Sequence, residues 1–245
     1  MHPGPDSRKF PVHDHRPGGV HGRNRPERLA LEVRHTADGA ADTADGQDCE
    51  FRVPRHTCVA AVSDDTAADR FLTGLLNENR PGLSVSVYGV DAHDEPEAVE
   101  QLVGVAPSPV QRPDLPVHDA LMESGTQKGL SPERAEQRTS ELADALDLHA
   151  VRDTPCAGLS PGLRSRVSLG CALLNAPPLL LLVRPLDDVD IASEKIICRV
   201  LDHYTASTGA VVFTTRSTEV AHRVADRLLH VDCGDTRRRE GETGC

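Results

Sequence analysis

The sequence predicts an α/β fold: a mostly parallel sheet flanked by helices, with an N-terminal antiparallel β part and an inserted helical subdomain. Three observations carry this. Apolar runs at 57–62, 179–183 and 210–214 read as strands covered on both faces. Between them lie segments with helical spacing of apolar residues. Before residue 90 the pattern changes: Leu29/Leu31/Val33, Phe51/Val53 and Leu83/Val85/Val87 alternate, as strands with one buried face do.

A chain of 245 residues can bury a sizeable core. A net charge of −11 and a pI near 5.5 argue against nucleic acid as a partner. The seven cysteines are odd in number and include no CxxC pair, which excludes a disulfide framework or zinc ribbon as the organising device. No apolar run approaches the roughly 18–20 residues that cross a bilayer, so no direct membrane insertion is expected. The opening residues lack a signal peptide's apolar segment. A cytoplasmic chain is expected, peripheral at the inner face of the membrane if a partner holds it there. Lysine occurs only at Lys9, Lys128 and Lys195 among abundant Arg, Ala and Asp, a bias of GC-rich bacterial coding.

Taken in order, residues 1–27 are rich in Pro, Gly, His and Arg without periodicity and read as a disordered tail. Solvation accounts for His13, His15 and His21 better than a metal ion does. Two alternating strands follow around a polar loop at 36–48. The buried strand at 57–62 feeds a helix at 67–76, whose inner side carries Ala68, Phe71, Leu72, Leu75 and Leu76. After the strand ending near Tyr88-Gly89, an acidic helical segment is expected at 91–100 and another strand at 102–107. From 109 to 154 the pattern is helical, and Ser131-Pro132-Glu133 reads as a helix start: cap, proline at the first position, acid in the first turn.

The most informative stretch is 158–190. Leu163, Val167, Cys171 and Leu174 recur at spacings of four, four and three, predicting one inner helical face. Ser160 can cap that helix, and Pro161 suits its first turn. Asn175-Ala176-Pro177-Pro178 stops it before the apolar run 179–183. A helix at 191–204, the strand 210–214, a helix at 219–227 and a strand at 228–231 complete the pattern.

The order of these pieces resembles the ATP-binding subunits of ABC transporters. In that family an LSGGQ signature opens a helix, and a strand ends in the Walker B pair Asp-Glu, followed by Pro and a D-loop ending in Asp. The corresponding residues are Leu159-Ser160-Pro161-Gly162-Leu163, Val183-Arg184, Pro185 and Asp187-Asp188-Val189-Asp190. The resemblance runs from Leu29 to Gly234. It implies a P-loop NTPase-like (ABC ATPase) domain over about 28–235, with a helical subdomain at about 109–156 and a C-terminal tail at 236–245.

The family's P-loop, GPNGAGKST, aligns with Ser63-Asp64-Asp65-Thr66-Ala67-Ala68-Asp69-Arg70-Phe71. The glycines that let backbone N–H groups wrap phosphates are absent. Asp69 takes the place of the phosphate-binding Lys, and Arg70 that of the Mg²⁺-binding hydroxyl. Asp64, Asp65 and Asp69 bring negative charge to a polyphosphate site; each like-charge contact near 4 Å costs up to about 4 kcal/mol at an effective dielectric of 20. Three would outweigh most of a micromolar affinity, about 8 kcal/mol. Arg70 is the residue expected to offset one of them. The Q-loop Gln falls at Ser108, and the switch His at Arg216. No adenine-stacking aromatic stands between Phe10 and Phe51.

Mg-ATP hydrolysis needs a held metal, a Lys on the phosphates and a group that activates water; those positions carry Arg70, Val183, Asp69 and Arg184. The resemblance therefore implies a pseudo-ATPase that binds no ATP or Mg²⁺ at its own P-loop. It would pair with a homologous active ATPase and a transmembrane permease in export. Ser160, Gly162 and Asp190 are the residues left to meet a nucleotide in trans. Two alternatives stay open: a stand-alone regulatory protein on the same fold, and a working ATPase with unorthodox motifs.

Overall fold

The computed structural model describes residues 29–35, 49–63, 66–76, 83–106 and 112–230. The predicted tails, the 36–48 loop, Asp64, Asp65, Ser108 and everything from Val231 onward lie outside the described residues. The elements are β1 (Leu29–His35), β2 (Cys49–Pro54), β3 (Cys58–Val62), α1 (Ala67–Gly74), β4 (Leu83–Val87), β5 (Val90–Asp91), α2 (Pro96–Leu102) and β6 (Val103–Ala106). Then come α3 (Val117–Gln127), α4 (Pro132–Ala145), α5 (Pro161–Leu173), β7 (Leu179–Leu182), α6 (Ile191–Ser207), β8 (Ala210–Thr215), α7 (Thr218–Val224) and β9 (Arg227–His230).

The alternating segments form an antiparallel sheet in the order β2-β1-β4-β5, and the continuous apolar runs a parallel sheet in the order β6-β7-β8-β3-β9. Because successive side chains on a strand face opposite ways, the parallel sheet feeds two cores. Cys58, Ala60, Leu180, Leu182, Val211 and Phe213 pack with residues of α3, α5 and α6. Val59, Leu179, Leu181, Val183 and Val212 pack with β1, β4 and the apolar side of α1. Each buried Leu contributes roughly 1.5–3 kcal/mol, which is why β7, four leucines long, sits at the junction of both cores.

Several expectations are corrected. The acidic helix begins at Pro96, not 91: Asp91 is in β5, and its Oδ1 accepts the His93 N–H at 2.8 Å, closing a turn that delays the helix. The inner face of α5 is not the single stripe expected. Val167 and Leu174 are buried, but so are Gly162, Arg166, Leu169, Gly170, Ala172 and Leu173, while Leu163 and Cys171 are half-buried. The helix is wedged between α3, α4, α6 and the sheet, so it needs apolar or small residues almost all round. Finally α7 stops at Val224, because Asp226 turns back to β3: its N–H donates to Cys58 O at 2.8 Å and its Oδ2 accepts the Cys58 N–H at 2.8 Å.

Candidate functional site

In parallel register Val62 lies beside Thr215, and Leu182 beside Phe213. The carboxyl ends of β3, β7 and β8 therefore open onto one rim, where open α/β sheets place their ligands. The segments that leave this rim carry Ser63, Thr66, Asp69 and Arg70 after β3, Val183 and Arg184 after β7, and Arg216 after β8. The structure brings these sequence-predicted positions together.

Two of them are engaged with each other. Arg184 Nε lies 2.6 Å from Asp69 Oδ2, with the two side chains 21% and 18% exposed. The Thr214 hydroxyl donates to Asp69 Oδ1 at 2.6 Å and accepts the Arg184 N–H at 3.0 Å. Asp69 thus has both oxygens occupied. Arg70, one position round α1, is exposed, so the cation that offsets Asp69 is Arg184, not Arg70. Successive residues on a helix point in directions about 100° apart, and only Asp69's faces β7 and β8. Thr66 is exposed at the N-terminus of α1 and makes no side-chain cap. Ser63 is buried, and its N–H donates to Thr215 O at 3.2 Å.

Beside this pair lies a second cluster. Asp187, 6% exposed, accepts the Thr215 hydroxyl at 2.7 Å and Arg216 Nε at 3.0 Å. Arg216 also reaches Asp188 at 2.6 Å, and these two carboxylates push its guanidinium further toward the charged form. Neither Thr214 nor Thr215 had a role assigned from sequence. The available signal was a pair of hydroxyls closing an otherwise apolar strand, and both are 1% exposed.

The third group stands at the start of α5. Ser160 is the N-cap, accepting the Leu163 N–H at 3.3 Å, with Pro161 in the first turn as expected. Gly162 packs so closely on Asp190 and Ser193 that a Cβ would collide with both. Asp190 caps α6, taking the Ser193 N–H at 2.9 Å and its hydroxyl at 2.7 Å. Those two hydrogen bonds hold its carboxyl below the usual carboxylate range. Ser160, Gly162 and Asp190 thus share one corner, and the Ser160 hydroxyl hydrogen is not used by the cap.

The described residues do not fit Mg-ATP as a P-loop holds it. A phosphate cradle offers backbone N–H groups and a Lys, and Mg²⁺ takes hydroxyl and carboxylate oxygens. The residue that the resemblance sets at the Lys position, Asp69, is an acid already bonded to Arg184; the one it sets at the hydroxyl position, Arg70, is a guanidinium; and Val183 is a hydrocarbon 9% exposed.

No protein-family model matches the chain. It is similar to Nod factor export ATP-binding protein I of Sinorhizobium fredii, 25% identical over 212 residues, which are 84% of this chain and 61% of that protein. It is also similar to the daunorubicin/doxorubicin resistance ATP-binding protein DrrA of Streptomyces peucetius, 28% identical over 176 residues, 71% of this chain and 52% of that one. The chain therefore spans about half to three fifths of the length of these curated relatives. Among solved structures, a dimeric ATP-binding cassette in a post-hydrolysis state with ADP and phosphate superposes with a TM-score of 0.70 at 17% identity, covering 87% of this chain and 100% of that one. An ATP-binding subunit of an ABC transporter does so with a TM-score of 0.66 at 24% identity, covering 83% and 85%.

Proposed function

We propose, from relatives and structural neighbours that are ABC-transporter ATP-binding subunits, that the chain is a member of that family and a pseudo-ATPase of an exporter. In this reading it pairs with a homologous, active ATPase subunit and with a transmembrane permease. It neither holds nor hydrolyses Mg-ATP at its own P-loop position. The observation that carries the proposal is the 2.6 Å contact between Arg184 and Asp69, one in the strand-end acid position, the other in the phosphate-binding Lys position. A polyphosphate entering there would have to break that pair and then face the freed carboxylate.

The chain's contribution would lie on the other side, at Ser160, Gly162 and Asp190. Ser160 can still donate its hydroxyl, and α5, 13 residues long, directs its positive end outward there. Pro161 removes one N–H from that end, a loss of about 1–3 kcal/mol where nothing replaces it. The helical subdomain containing α3 and α4 would dock on the permease. The relatives named for Nod factor export and for daunorubicin/doxorubicin resistance support a role in export.

Calorimetric titration of the purified chain with ATP and Mg²⁺ tests the proposal. Binding weaker than about 10 µM, a free energy of roughly 7 kcal/mol, is expected, without turnover. Tighter binding, or a turnover abolished by Asp69→Ala, would overturn it.

A further inference from the structure

We propose that the Asp69–Arg184 ion pair is an internal substitute for a bound nucleotide, a ligand-independent clasp joining α1 to the ends of β7 and β8. The inference rests on the reading above that the P-loop position binds no Mg-ATP.

Three observations converge on it. First, both signs are exchanged together. The resemblance puts a cation at position 69 and an acid at 184; this chain has the acid at 69 and the cation at 184, and in the folded chain the two meet.

Second, the clasp is a closed ring. Asp69 bonds Arg184 Nε, the Thr214 hydroxyl bonds Asp69, and the Arg184 N–H bonds Thr214. No ligand atom is needed to complete it. Thr214 is 1% exposed, so its hydroxyl anchors the ring in the buried layer while Asp69 and Arg184 stay partly exposed.

Third, Arg184 has φ +50°, a left-handed conformation that costs a non-glycine residue free energy. Such a backbone persists where its surroundings over-determine it. The surroundings here include the two bonds of the ring, one to the backbone N–H and one to the side chain, and the Asp187 N–H that donates to the Arg184 carbonyl at 3.4 Å. The consequence is a rim set in one arrangement whether or not nucleotide is present. This subunit would then offer its partner a permanently ordered face.

The test uses the full chain and four proteins: wild type, Asp69→Lys, Arg184→Glu and the double exchange. Thermal midpoints and hydrogen exchange of the α1 amides are measured without nucleotide. Each single reversal is expected to lower the midpoint by about 5 °C or more and to speed α1 exchange at least about tenfold. The double exchange should recover at least half of the summed loss. If a reversal fails to fold, Asp69→Asn, Arg184→Gln and their combination give the same cycle. Additive losses in the double variant, or α1 exchange unmoved by the single ones, would overturn the clasp. Adding Mg-ATP to wild type separates the two readings. Slower α1 exchange on addition would overturn both the weak-binding reading and the substitution, whereas additive losses with no ATP effect overturn the clasp alone.

Discussion

Arg216 closes on Asp187: its Nε lies 3.0 Å from Asp187 Oδ2, while the other oxygen of the same carboxylate takes the Thr215 hydroxyl at 2.7 Å. The loop after β7 is thereby fastened to the end of β8, next to the Asp69–Arg184 pair but without sharing a residue with it. Asp187→Ala would leave the buried Thr215 hydroxyl without its acceptor. The expected loss is about 1–3 kcal/mol, read as a midpoint lower by several degrees in thermal unfolding. A midpoint within a degree of wild type would show that the cluster is incidental.

Thr214→Val keeps the shape of the side chain and deletes two hydrogen bonds, to Asp69 and from the Arg184 N–H. A destabilisation of about 1–3 kcal/mol is expected, largely recovered by Thr214→Ser, which restores the hydroxyl. Chemical denaturation of the three proteins checks it, and equal stability of the Val and Ser variants would contradict the ring.

Restoring the family's P-loop pair, Asp69→Lys with Arg70→Ser, will not restore ATPase activity. The new lysine would face Arg184 across the contact that Asp69 now makes. The strand end would still lack its carboxylates at Val183 and Arg184. A phosphate-release assay on the purified variant should read background, and clear turnover would show the site to be far less decayed than its residues imply.

At the α5 corner two substitutions part company. Gly162→Ala drives a methyl into Asp190 and Ser193 and should cost about 1–3 kcal/mol, measurable in the isolated chain. Ser160→Arg adds bulk at an exposed cap and removes its bond to the Leu163 N–H, a cost of about 0.5–2 kcal/mol that should leave the chain folded. If the chain pairs with an active homologue as proposed, Ser160→Arg in the co-purified complex is expected to lower the partner's ATPase rate at least tenfold. An unchanged rate in an assembled complex would leave Ser160 as a helix cap only.

The thiols give a pH prediction. Burial pushes Cys58 up to about 12 and Cys171 up to about 11. The reactive form is the thiolate, which is a very minor species of both at pH 8. Maleimide at pH 8 should modify neither in the folded chain, and both after denaturation. Peptide mapping reads the sites; rapid native labelling of Cys58 would mean that β3 opens.

Local signals in this chain were legible without coordinates. The four leucines of β7, the hydroxyl-proline start of α5 and the alternation in β1 and β4 each depend on residues within a few positions of one another. Period and capping are local physics, and the structure returns them nearly where expected. The collinear order of these pieces was enough to indicate the family's fold.

What the tertiary structure decided is which charges meet. From sequence the natural partner for Asp69 was its neighbour Arg70. The folded chain instead supplies Arg184, because β7 lies next to β8 and β8 next to β3 in the sheet, so the ends of those strands and the start of α1 share one rim. The same holds for Gly162: nothing in the sequence around it demands a glycine, but α6 begins against it, and Asp190 and Ser193 leave no room for a side chain. Strand period is set by the backbone of one segment, whereas an ion pair or a close approach is set by the order in which distant segments pack, and that order is settled only when the whole core closes.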